Sequence, residues 1–298
     1  MELIYLVILL RILKSMTKRT LMKYIVSIIF SLLTVSLVSA QNLEIGVMGG
    51  GSYYYGDIVN EWTPSTIGGS GGVFLRYHIN ENMAIKGFGG YCKISGGDSL
   101  SSSAFQRNRN LSFWADVFEG SVQFEYSFVK DITRGRRLRN RFVPYAFAGL
   151  GAFYFMNYAY GPSHEIEKLY NMGTSGTVYN NFSVCVPFGV GFRYKITSNI
   201  NLGMELGIRY TATTWLDDVG GPTTFYKPYT KENFLYNIGY LMSDRSTSQQ
   251  YIGTGKQRGK VALSDVYVMC GFTLGYRLGT GGGGGGYRGR AIRCPRFY

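Results

Sequence analysis

From Phe192 to Tyr210 the side chains alternate in a way few folds can accommodate. Phe192, Tyr194 and Ile196, then Ile200, Leu202, Met204, Leu206, Ile208 and Tyr210, stand at every second position on either side of Thr197-Ser198-Asn199. Between them lie Arg193, Lys195, Asn201, Gly203, Glu205, Gly207 and Arg209. Side chains repeating every two residues share one face of an extended strand. The segment therefore predicts two antiparallel strands joined by a tight turn, with one face uniformly apolar and the other carrying full charges.

The pattern recurs along the chain. Phe118, Val122, Phe124, Tyr126 and Phe128 oppose Glu119, Ser121, Gln123 and Glu125, and Val266, Val268, Cys270, Phe272, Leu274 and Tyr276 oppose Gly271, Thr273, Gly275 and Arg277. Eight runs of this kind lie near 42–55, 68–79, 83–95, 112–129, 142–156, 182–196, 200–212 and 261–278. Lys86 in the third and Pro144 in the fifth break the pattern and leave the facing of those runs open. Composition agrees with short strands and turns: 41 Gly, 25 Tyr and 19 Phe stand against 7 Pro.

A soluble β-sandwich would show the same alternation, so the connections and the aromatics must separate the two folds. Asn80-Glu81-Asn82 and Thr197-Ser198-Asn199 are tight links, while the links after the first, third, fifth and seventh runs are long and polar. The longest covers roughly 213–260. Short turns at one end and long loops at the other are the layout of an outer-membrane barrel; the link from Lys130 to Arg141 is the exception, being longer than a turn. Tyr77, Tyr126, Tyr194 and Tyr276 recur on the apolar face at the lower ends of alternate runs, as an interfacial belt requires. Trp62, Trp114 and Trp215 fall toward the opposite end. The expected fold is all-β: an eight-stranded antiparallel transmembrane barrel of the outer membrane, with long extracellular loops and both termini periplasmic.

Residues 1–40 are different in kind. Lys18, Arg19 and Lys23 precede the apolar run "YIVSIIFSLLTVSLVSA", which ends in Val38-Ser39-Ala40, the arrangement of a secretory signal peptide. A start at Met16 or Met22 would leave the preceding residues as upstream sequence. The expected organisation is a signal peptide at 1–40, a barrel at 41–278 and a Gly/Arg-rich periplasmic tail at 279–298. Removing residues 1–40 leaves 26 basic against 17 acidic residues, a net charge of +9. Export separates the basic "GGYRGR" stretch from RNA, so no nucleic acid is expected as a partner.

The opening "LEIGVMGGGSYYYGDI" and the hairpin "FLRYHINENMAIKGFGGY" resemble PorG-type outer-membrane β-barrels of the Bacteroidetes type IX secretion system. The residues carrying the likeness are Glu44, Gly46, the glycines through Gly51, Ser52, Tyr55, Gly56 and Asp57. The layout extends it across 41–278, whereas the tail "GTGGGGGGYRGRAIRCPRFY" has no barrel counterpart. The resemblance implies a non-enzymatic, structural component of protein secretion, coupling a periplasmic ring of PorK/PorN-like proteins to the outer membrane. A generic small barrel that binds surface ligands or an extracellular partner through its long loops is the alternative.

Charge placement points independently to a docking role. Lys130, Arg134, Arg136, Arg137, Arg139 and Arg141 oppose only Asp131 in one link, for +5, and Arg288, Arg290, Arg293 and Arg296 add +4 in the tail. Guanidinium groups bind carboxylates and phosphates in a bidentate fashion, so acidic protein surfaces or outer-membrane lipid headgroups are the expected partners. Among Cys92, Cys185, Cys270 and Cys294, the last is the one placed for an intermolecular disulfide. With only His78 and His164 and no serine motif beside either, no catalytic site is expected. No cofactor or metal site is expected either.

Overall fold

The computed structural model describes residues 42–131, 140–161, 163–174, 179–220, 238–243, 245–246 and 264–278. Among the described residues nine strands form in order: β1 (Leu43–Tyr55), β2 (Gly68–His78), β3 (Met83–Gly97), β4 (Ser112–Ser127), β5 (Phe142–Tyr160), β6 (Ile166–Lys168), β7 (Phe182–Lys195), β8 (Ile200–Thr211) and β9 (Val266–Arg277). Among the described residues two short α-helices, α1 (Ala104–Arg109) and α2 (Ile238–Ser243), sit in the long loops with three 3-10 turns. No described helix is long and apolar enough to cross a membrane.

Eight of the strands close on themselves. Each pairs antiparallel with its neighbour in sequence, β5 passing over β6 to β7, and β9 returns to β1 through Glu44↔Arg277 to Tyr55↔Val266. Closure leaves no unpaired edge, the condition for a sheet to stand in hydrocarbon. β6 is a short addition, paired to Tyr158–Tyr160 of β5 above the barrel. The β3–β4–β5 wall is also the tallest, at 15, 16 and 19 residues against 11 for β2 and 12 each for β8 and β9.

The turns at the lower rim are specified locally. Asn80 Oδ1 accepts from the amides of Asn82 (2.9 Å) and Met83 (2.8 Å), and Thr197 Oγ1 accepts from Ile200 N (3.0 Å). These side chains replace backbone acceptors in a tight reversal. The turns are stitched to one another: Ser127 N donates to Asn82 O, Asp131 N to Glu81 O, Lys195 N to Arg141 O and Arg277 N to Asn199 O, all within 2.7–2.9 Å.

Facing follows the alternation. Val47, Val73, Leu75, Phe118, Val122, Val184, Phe188, Leu202, Leu206, Phe272 and Leu274 are exposed on the outer wall, with Tyr77, Tyr126, Tyr194 and Tyr276 in a belt above the short turns. The charged faces of the same strands are buried inside. The two open cases resolve: Lys86 points inward at 1% exposure, and Pro144 points outward on β5. The β5–β7 ladder runs to Ala148↔Phe188 and resumes at Gly151↔Cys185. Pro187, which has no N–H to donate, lies in that gap.

Candidate functional site

The lower half of the lumen is an ion-pair network built by inward positions from every side of the barrel. Arg76 of β2 grips Glu125 of β4 through Nε (2.8 Å) and Nη2 (3.1 Å), and its Nη1 contacts Glu44 of β1. Arg193 of β7 reaches the same Glu125 at 3.0 Å, and Lys86 of β3 reaches Glu205 of β8 at 2.6 Å. Tyr145 donates to Glu205 (2.9 Å), Asn201 donates to Glu44 (3.0 Å), and His78 Nε2 lies 3.1 Å from Glu44. Bidentate geometry and shared carboxylates offset the cost of removing these charges from water.

Asp131 closes this network from below. It belongs to the β4–β5 link, not to a strand, yet its carboxylate is inserted under the barrel. Lys195 Nζ lies at 2.5 Å and Arg277 Nη2 donates at 3.0 Å, with Arg193 Nη2 and His78 Nδ1 at 3.8 Å. Burial pushes the Asp131 carboxyl up, but the charges of Arg193 and Arg277 outweigh it and hold the group well below the usual carboxylate range.

Above the network the lumen narrows onto bare backbone. Gly72 faces Gly90 and Gly189 faces Gly207 across their ladders. A Cβ at Gly90 would meet the Phe88 ring at 2.5 Å, and one at Gly189 would meet the Phe147 ring at 2.8 Å. The missing side chains make room for these rings, an exchange that also shields the exposed glycine backbone. One layer higher, Glu119 accepts from Arg209 Nε (3.1 Å), Tyr267 (3.0 Å) and Ser121 (2.9 Å). The interior is therefore side chain from wall to wall, as expected of eight strands. A depression of about 300 Å³ is lined by the outward Phe188, Val190, Leu206 and Ile208 together with the inward Phe147 and Gly189.

The upper mouth is sealed by loops. Leu216, Asp217, Asp218 and Val219 are buried there beside Ile58, Val59, Leu111, Leu169 and Met242. Trp215 stacks on Tyr179 (4.9 Å, 11°), and Tyr179 on Phe155 (6.2 Å, 9°). Arg109 of α1 grips Asp98 through Nε (2.7 Å) and Nη2 (2.6 Å), and its Nη2 also donates to Asp57 O. Asp218, at φ 65°, accepts from Thr174 (2.5 Å) and Tyr179 (2.8 Å).

Arg134, Arg136, Arg137, Arg139, Arg288, Arg290, Arg293, Arg296 and Cys294 lie outside the described residues, as does the signal segment. Arg141 is described: it is exposed on the lower rim, where its carbonyl accepts from Lys195. His78 is inward, as its position in β2 predicts, and its ring faces Glu44, Asp131 and Arg277. Cys92 and Cys185 are buried inside, while Cys270 is half-buried on the outer face. Trp215 is a component of the upper seal. The buried roles of Asp131, Asp217 and Asp265 escaped the sequence reading; all three lie outside the strands, Asp265 because β9 begins only at Val266 and not at 261. Among the described residues no group of three or more His, Cys, Asp or Glu is arranged to hold a metal.

Residues 23–245 match the family described as Domain of unknown function (DUF6089), and the chain belongs to that family. No curated protein sequence matches it. Among solved structures it is similar to Neisserial surface protein A, at 9% identity over 80% of this chain and 97% of that one, with a TM-score of 0.41. It is similar too to the outer membrane protein OprG from Pseudomonas aeruginosa (11%, 80% and 97%, TM-score 0.37). A third likeness is to Ail, the attachment invasion locus protein of Yersinia pestis, in complex with the heparin analogue sucrose octasulfate (9%, 78% and 96%, TM-score 0.32).

Proposed function

Taking membership of that family and the closed barrel as premises, we propose that the chain is an integral outer-membrane protein and a structural component of type IX protein secretion. In this reading residues 1–40 are removed on export, the short-turn rim faces the periplasm, and the barrel anchors a ring of PorK/PorN-like proteins. The observation that carries the reading is the filled lumen. A barrel packed from Glu44 to Glu119 with paired charges and rings offers no conduit, so its working surfaces are its rims and its outer wall. Glu44, one of the residues carrying the PorG resemblance, lies within the ion-pair network, bonded to Arg76, His78 and Asn201.

The docking surface of this proposal is the basic link Arg134, Arg136, Arg137, Arg139 and Arg141 together with the tail Arg288, Arg290, Arg293 and Arg296. Asp131, the one acid of that link, is engaged with Arg193, Lys195 and Arg277 of the lumen. Their partner would be an acidic protein surface, and a disulfide through Cys294 would add a covalent link. The test is deletion of 279–298 combined with replacement of the five link arginines. Loss of ring co-purification and of secretion, with the barrel still in the outer membrane, is the expected result. Survival of both would overturn the docking role.

The built upper seal favours one second reading, a barrel acting through its extracellular loops. There the same variant would be silent, and changes at the exposed Trp62 would abolish binding to cells or surface ligands instead.

A further inference from the structure

The seal of the long-loop mouth contains two buried carboxyl groups that make no ion pair with a described residue. Asp265, just before β9, accepts from Tyr54 of β1 (2.7 Å) and from the Leu216 amide (2.9 Å). Asp217 accepts at Oδ1 from Val219 N (2.9 Å), lies beside the same Tyr54 hydroxyl, and leaves a buried Oδ2 without a partner. Asp217 is 1% exposed, Asp265 2% and Tyr54 0%. Among the described residues the ionisable groups facing the pair are Tyr54 from β1, Asp57 from the β1–β2 loop and Arg109 from α1, with Tyr179 and Asp218 at the aromatic stack. Arg109 is engaged with Asp98.

We propose that residues 212–220 form a proton-held plug, in which Asp217 and Asp265 close the mouth by sharing a proton around the Tyr54 hydroxyl and loosen it when both ionise. Tyr54 donates to Asp265, so its oxygen is free to accept from a protonated Asp217. A neutral acid also suits the partnerless Oδ2, because a full charge buried without a cation or donor is costly. The carboxylate–amide bonds to Leu216 and Val219 then tie the plug to β9 and to its own turn. Two negative charges in the same space would repel each other beneath it.

Burial, together with the neighbouring carboxylates Asp265 and Asp57, keeps the Asp217 acid protonated far above the usual carboxylate range. Burial pushes Asp265 up to about 7. The sign follows from linkage. The closed plug binds a proton that the open loop, with ordinary carboxyls near 4, has released, so opening becomes easier as pH rises. The slope is about tenfold per pH unit per shared proton between the open-state and closed-state values.

The experiment is hydrogen exchange of the full-length barrel in detergent micelles, reading the segment 212–220 from pH 5 to pH 8 after correction for intrinsic rates. The β1–β2 ladder serves as the internal reference. Protection of the segment is expected to fall at least about tenfold per unit between pH 5 and 7 while the ladder is unchanged. D217N and D265N, which hold a neutral side chain at each position, should each reduce that slope. A flat wild-type profile overturns the proposal, and so does an unchanged slope in both variants. Should either variant fail to fold, the wild-type profile decides alone.

Discussion

The two mouths of this barrel are closed by carboxyl groups in opposite electrostatic settings. At the short-turn mouth, Asp131 is inserted among Arg193, Lys195 and Arg277 and is held as an anion. At the long-loop mouth, Asp217 and Asp265 face each other and Asp57, and the pair retains its proton to unusually high pH. A depressed carboxyl stabilises the closed state above its ordinary value and loses that contribution as pH falls below about 4. A raised one does the reverse, weakening the closed state as pH climbs from about 4 toward the folded value. One chain thus closes one end against base and the other against acid. Burial alone does not set the sign; the neighbours do.

Experiments can break this contrast at several strengths. The largest effect is expected from Arg76→Met, which removes the bidentate partner of Glu125, leaving it to Arg193 and Lys86, and leaves Glu44 to His78 and Asn201. Loss of one partner of a buried pair costs about 3–5 kcal/mol, read as a shift in urea unfolding of the micelle-bound barrel, with the upper plug affected only through global unfolding. Leu206→Arg comes next, at about 2–4 kcal/mol in lipid vesicles for a cation placed mid-wall in hydrocarbon. A soluble sandwich would tolerate that exposed arginine, so a neutral result would remove the membrane assignment altogether. Acidification is the third perturbation. Below about pH 4, exchange at the Lys195 and Arg277 amides should rise roughly tenfold per unit as Asp131 is neutralised on opening, while the Leu216 amide holds. Thr174→Val is the smallest: losing the hydroxyl donor to Asp218 costs about 1 kcal/mol and should appear only as faster exchange in the upper seal.

Much of the architecture was legible because a strand forces every second side chain to the same side. That rule placed Glu119, Glu125, Arg193, Glu205 and Arg209 inside and Leu202, Leu206 and Phe188 outside before any contact was known. It faltered at Lys86, whose charge sits within an otherwise apolar run and whose partner Glu205 lies 119 residues away. Pro144 looked equally out of place, yet its carbonyl accepts from Phe128 N at 3.0 Å on the outer wall. The extension of β5 to Tyr160 and the addition of β6 went unread, since Ile166–Lys168 is too short to show an alternation and Tyr158 and Tyr160 also rest on the Trp114 ring of β4.

The sequence by itself determined the eight strands of the barrel, the facing of the regularly alternating ones and the tightness of two turns, since period-two alternation and turn chemistry are local properties of the chain. Only the tertiary structure decided which carboxylates are charged. That depends on closure, which delivers Arg193, Lys195 and Arg277 to Asp131 at one end and delivers Asp265 and Tyr54 to Asp217 at the other.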